Sequence, residues 1–144
     1  MLKKSFLNAL ILLAAIYFTS CQSVSKGKVS PFRLNSAYYQ SWVMSENERG
    51  TDIILRLDGV RKGIEFDSIV FRGIELPVFT SAEKDVIILK SILPIGQSRI
   101  RIESRVTGGP DQLIYRIKGK RKSYLLKNLE RKETRYYPAR TQEK

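Results

Sequence analysis

RIRIESRVTGGPDQLIYRIKGKRKSYLL, residues 99–126, carries the plainest structural signal in the chain. In its first run Ile100, Ile102 and Val106 fall on one side and Arg99, Arg101, Glu103 and Arg105 on the other, the two-residue period of a strand with one wet face. Leu113, Tyr115 and Ile117 repeat the pattern. Lys118-Gly119 then supplies turn chemistry, and Tyr124 and Leu126 return on the same side, as in a hairpin whose inner face joins one core. The three-to-four-residue period of an amphipathic helix is missing.

Outward from this stretch the same grammar holds. Strands are expected at 37–44, 52–57, 64–71, 74–79, 85–92, 99–106, 112–118 and 122–126, separated by Asn47-Glu48-Arg49-Gly50, Asp58-Gly59, Arg72-Gly73, Pro94-Ile95-Gly96, Gly108-Gly109-Pro110 and Lys118-Gly119-Lys120. Turns every 8 to 12 residues or so point to an all-β fold, a small antiparallel β-sandwich, Ig-like or similar, or a partly open barrel of about eight strands. Ile64 and Phe66 lie in one register and Ile69 and Phe71 in the other, so that strand either carries a bulge or is buried on both faces.

Ahead of this domain stand Lys3 and Lys4, an apolar run from Phe6 to Phe18, and Thr19-Ser20-Cys21. The run is shorter than the ~20 residues a membrane-spanning helix needs. The order of charge, apolar run, small residues and cysteine resembles a bacterial lipoprotein signal peptide. The resemblance implies a cleaved signal helix over residues 1–20 and lipidation of Cys21, the only cysteine in the chain. Lipidation accounts for an unpaired thiol in an exported protein, and leaves no disulfide to brace the fold. Gln22-Ser23-Val24-Ser25-Lys26 follows the cysteine. Lacking the acidic residues of surface-directed lipoproteins and the Asp of inner-membrane retention, it implies the periplasmic side of the outer membrane, with the inner membrane or cell surface as alternatives. The domain plan is then a signal at 1–20, a flexible tether at 21–35, a β domain at 36–130 and a basic tail at 131–144.

Charge is unevenly spread. The chain has 26 basic and 14 acidic residues, a formal net charge of +12. Residues 118–144 alone hold ten Lys or Arg against Glu130, Glu133 and Glu143. Lys118, Lys120, Arg121, Lys122, Arg131, Lys132 and Arg135 are therefore the candidate contacts for an anionic partner. Export removes nucleic acid from consideration and leaves anionic lipid, acidic glycan or an acidic envelope protein.

Chemistry is harder to find. There is no histidine, and no cysteine besides Cys21, so the common zinc ligands, the usual general base and thiol catalysis are missing. Glu65, Asp67 and Glu75 are the remaining carboxylate candidates, with Glu65 and Asp67 at the spacing of one strand face that would suit the acid and base of a carboxylate-based hydrolase or a calcium site. Alternating acids ordinarily form a solvated face, and no metal site, cofactor or enzymatic activity is expected. Tyr38 and Trp42 project from one side of the first strand and Tyr39 and Val43 from the other. Such a pair either anchors a core or stacks on a glycan or peptide ligand.

Tyr39-Gln40-Ser41-Trp42, Asp67-Ser68-Ile69-Val70-Phe71-Arg72-Gly73 and Tyr137-Pro138 resemble motifs of small uncharacterised lipoproteins of the bacterial phylum Bacteroidota. Where those proteins carry a glycine-rich loop after the tryptophan strand, this chain has Ser45-Glu46-Asn47-Glu48-Arg49-Gly50. The resemblance implies the envelope address and a β domain, and no activity. The resulting expectation is a membrane-anchored, non-enzymatic binding or scaffolding protein of the cell envelope.

Overall fold

A computed structural model describes residues 29–96 and 102–138. Cys21, the signal segment, most of the expected tether and residues 139–144 lie outside the described residues. Ten strands form two five-stranded sheets that stack as an open sandwich and do not close into a barrel. In chain order they are β1 (Arg33–Val43), β2 (Arg49–Asp58), β3 (Ile64–Phe71), β4 (Ile74–Pro77), β5 (Phe79–Glu83), β6 (Val86–Ile95), β7 (Arg105–Val106), β8 (Gln112–Ile117), β9 (Lys120–Leu125) and β10 (Glu130–Tyr136). The first sheet runs β10-β1-β2-β6-β5 and the second β7-β4-β3-β8-β9. All pairs are antiparallel except β1 with β10.

The core lies between the sheets. Ile53, Leu55 and Leu57 of β2 and Leu89 of β6 are wholly inaccessible, as are Ile69 of β3, Leu76 of β4 and Leu113 of β8. The register conflict inside β3 is resolved by a bulge between Phe66 and Ser68. One extra residue lets Ile64, Phe66, Ile69 and Phe71 all face or pack against the core. Hydrophobic burial supplies the stacking force at about 25 cal/mol per Å² of apolar surface.

Four expectations need correction. Residues 74–79 do not make one strand: β4 ends at Pro77, and the chain crosses to the other sheet as β5. The fully buried Ser91 hydroxyl donates to the Pro77 carbonyl at 2.8 Å, satisfying a ladder position that the crossover leaves open. Residues 99–101 of the run expected at 99–106 lie outside the described residues, and of 102–106 only Arg105–Val106 is a strand, paired to β4, with Val106 84% exposed rather than turned inward. The supposed tail begins as β10, which lies along β1. Finally, the tether ends earlier than residue 35, because Phe32 is buried and β1 starts at Arg33.

Phe32 deserves its place in the core by contact. Its ring packs edge-on against Phe66 and Tyr115, with centroids 5.8 and 5.3 Å away, and tilted against Tyr124 at 5.1 Å. Beside it, the Arg61 amide donates to the Pro31 carbonyl at 3.0 Å. The point at which the chain enters the domain is thereby fixed. Phe32→Ala is expected to lower stability by about 3–5 kcal/mol, the cost of deleting a buried aromatic; the urea midpoint measures it.

Candidate functional site

The cations are positioned by strand register. β8 and β9 are joined by a two-residue turn in which Lys118 and Gly119 both take positive φ, 50° and 73°, the backbone that matches the twist of a tight hairpin. In the ladder that follows, Lys120 lies opposite Ile117, Lys122 opposite Tyr115 and Tyr124 opposite Leu113. These β9 side chains share the core-facing side of their sheet but stand at its edge, where no further strand covers them.

An open groove of 960 Å³ lies there, between β9 and the entering chain. Its floor is Pro31, Ile117 and the rings of Tyr115 and Tyr124; its rim is Arg61, Lys120 and Lys122. Val29, 76% exposed, stands at one end. No lining residue is acidic. Arg61 comes from the loop between β2 and β3, and the sequence offers only its position after the Asp58-Gly59 turn as a sign of it. Pro31, hidden in what reads as tether, offers less.

The seven cations expected to form one patch divide in three. Lys118, Lys120 and Lys122 are exposed at the groove and its hairpin, and no described carboxylate pairs with them. Arg121 turns to the outer face of the sheet and binds Glu75 at 2.6 Å. Arg131, Lys132 and Arg135 stand on β10, at the edge of the other sheet. A cleft of 680 Å³, lined by Leu34, Ala37, Tyr124, Leu126 and their neighbours, lies between β1 and the end of β9. Lys132 meets Glu130 at 2.7 Å and stands over the Tyr38 ring, 5.7 Å from its centroid. Arg135 holds its proton more firmly than an ordinary guanidinium, chiefly through a hydrogen bond with Tyr137 and secondarily through Tyr38 and Asp52.

Tyr38 and Trp42 share a face, as the alternation predicts, and it is the outer one, since Tyr39 packs on the core against Phe71. Trp42 is nevertheless only 8% exposed. The indole lies across Gly50, where an added Cβ would meet its Cζ2 at 2.7 Å. Its Nε1 donates to Asp52 at 3.0 Å, and Asp52 also holds Lys90 at 2.7 Å. Trp42 thus sits outside the sheets yet covered, with its one donor used, and presents little ring face for stacking. Gly50→Ala is expected to displace the indole, at a cost of about 1–3 kcal/mol for overpacking; a red shift of Trp42 fluorescence together with a lowered urea midpoint checks it.

The carboxylates are occupied too. Glu75 accepts from the Ser68 hydroxyl at 2.6 Å and from Arg105 and Arg121 at 2.7 and 2.6 Å. Asp67, at the β3 bulge, pairs with Arg116 at 2.8 Å, and Glu65 lies opposite Arg116 in the ladder. Where the sequence offers Glu65 and Asp67 as acid and base, Asp67 is engaged by Arg116. Among the described residues no group of three or more His, Cys, Asp or Glu is placed to hold a metal ion. The Ser68 hydrogen bond first, then that of Arg105, with the charges of Arg121 and Arg105 behind them, hold the Glu75 carboxyl below its usual range against the opposing effect of burial. A carboxylate depressed in the folded state stabilises fully above its unfolded pKa and loses that contribution as pH falls through the folded value. Glu75→Gln should therefore be less stable than the parent near neutrality, by about 1 kcal/mol because both arginines remain solvated. The difference should begin to shrink as pH falls through the ordinary glutamate range near about 4.3 and be lost only beneath the depressed folded value. Urea midpoints of the two chains across that range check this.

Compared with protein-family models, curated proteins and solved structures, the chain matches none.

Proposed function

We propose that this is a bacterial lipoprotein, held to the periplasmic side of the outer membrane by lipid on Cys21, whose β-sandwich binds an anionic partner in the envelope without catalysing a reaction. One observation carries the reading: the chain enters the domain at Val29–Phe32, directly beside Lys120, Lys122 and Arg61, which no described carboxylate pairs. Only seven residues separate Cys21 from Val29. Even fully extended, that connection reaches at most about 28 Å. A diacylglyceryl group in thioether linkage to the Cys21 sulfur would then hold the basic groove near headgroups and whatever anionic material lies against them. Each buried methylene of the anchor adds about 0.8 kcal/mol to membrane partition, so several chains make attachment effectively permanent.

A non-enzymatic role is supported by the sequence, which has no histidine and no thiol other than Cys21, and by the arginine partners of Glu75 and Asp67. The ligand-stacking reading of Tyr38 and Trp42 has less behind it, since Trp42 is covered. The resemblance to Bacteroidota lipoproteins agrees with the address and adds no activity.

Replacing Cys21 by Ser tests the anchor. The parent is expected in the envelope fraction, with a mass that begins at an acylated Cys21; the variant should move to the soluble periplasm. A parent chain recovered intact from Met1, or a variant that sediments with envelopes as the parent does, overturns the reading.

A further inference from the structure

We propose that the groove between β9 and the entering chain is a binding site for the phosphate headgroup of an anionic phospholipid in the membrane that carries the anchor. The inference rests on the lipoprotein reading for its location and names the anion that the reading leaves open.

Three features select this ligand. The rim brings Arg61, Lys120 and Lys122 together from one loop and one strand, and among the described residues no carboxylate lines the groove to neutralise them. Cations without a described carboxylate partner are placed for a ligand that supplies the charge itself, and guanidinium and ammonium groups both bind phosphate oxygens well. The floor is apolar and aromatic, with Ile117, Tyr115 and Tyr124 below the rim and the exposed Val29 at one end. Tyrosine is suited to the boundary between hydrocarbon and water, so the groove matches an amphiphile better than a wholly polar anion. The chain's own remaining segments are poor occupants by charge. Residues 22–28 contain Lys26 and Lys28 and no acid, and residues 139–144 set Arg140 and Lys144 against Glu143. Screening confines attraction to about 8 Å at physiological salt, and the short connection to Cys21 keeps this face within working distance of the bilayer.

Each Lys or Arg near an anionic surface strengthens association by about fivefold. Removing two groove lysines should therefore weaken headgroup binding by about 25-fold. The cations on β10 belong to another edge, and their removal should do much less.

The full chain as its cells produce it, reconstituted in bilayers of phosphatidylcholine alone or mixed with phosphatidylglycerol, allows the test. Amide hydrogen exchange is followed at residues 59–63 and 120–125, at about 50 and 500 mM salt. The expected result is at least tenfold slower exchange at these positions with phosphatidylglycerol, reversed by high salt. Lys120→Gln combined with Lys122→Gln should abolish it, and Arg131→Gln combined with Lys132→Gln should leave it. Identical exchange in the two bilayers overturns the proposal. So does equal loss in both double variants, which would mean diffuse charge attraction. Equal protection by inorganic phosphate over phosphatidylcholine bilayers also overturns it, because the groove would then take free phosphate rather than a headgroup. The mass of the purified chain reports separately on acylation of Cys21. A failed anchor and a failed groove are thus told apart.

Discussion

The alternate residues of β2 are the constraint on which this molecule depends. Ile53, Leu55 and Leu57 have no solvent exposure, and they face Ile69, Phe71, Leu76 and Leu113 of the opposing sheet within one cluster. Neither sheet could stand alone in water with that face uncovered. With Cys21 as the only cysteine, no internal disulfide shares the task. Packing must hold the sheets together, and among the described residues no buried side-chain nitrogen or oxygen is left without a partner.

Once the two sheets are stacked, the placement of everything polar follows. The strands flanking β2 and β3 bury one face, and β5, β7, β9 and β10 become edges. β9 and β10 carry lysines and arginines, a common way of discouraging edge-to-edge association. In β9 the same charges take on a second character, because register turns Lys120 and Lys122 toward the open side of the core, above Ile117 and Tyr115. Phe32 plugs that side from within and brings the entering chain alongside. A local packing event thus decides where the entering chain meets the domain.

On the outer faces, pairing replaces packing. Glu75 gathers Ser68, Arg105 and Arg121, and Asp52 gathers Trp42 and Lys90. Each ties together strands that the backbone ladder alone would join only by neighbours. Arg105 brings the two-residue β7 to β4, and Arg121 reaches across β8 and β3 from β9. Glu75, a carboxylate candidate in the sequence, is in this way engaged by three partners.

What was legible in the chain itself is what depends on local periodicity and composition. The all-β class, most interior strands, the Lys118-Gly119 and Arg72-Gly73 turns and the split of Tyr38 and Trp42 from Tyr39 could all be read, since side chains alternate strictly along a strand. β10 and most of β5 could not. Glu130–Tyr136 and Phe79–Glu83 are edge strands with almost no buried side chains, so they leave no apolar alternation to detect. The opposite error arose at Val106, which the alternation turns inward and which the fold leaves 84% exposed. Charge could be counted from the sequence, but not its division between the groove, Glu75 and β10. Which cations meet, which carboxylates are satisfied, and that Arg61 joins Lys120 and Lys122 are long-range outcomes. They depend on how two sheets stack, and no stretch of neighbouring residues contains that information.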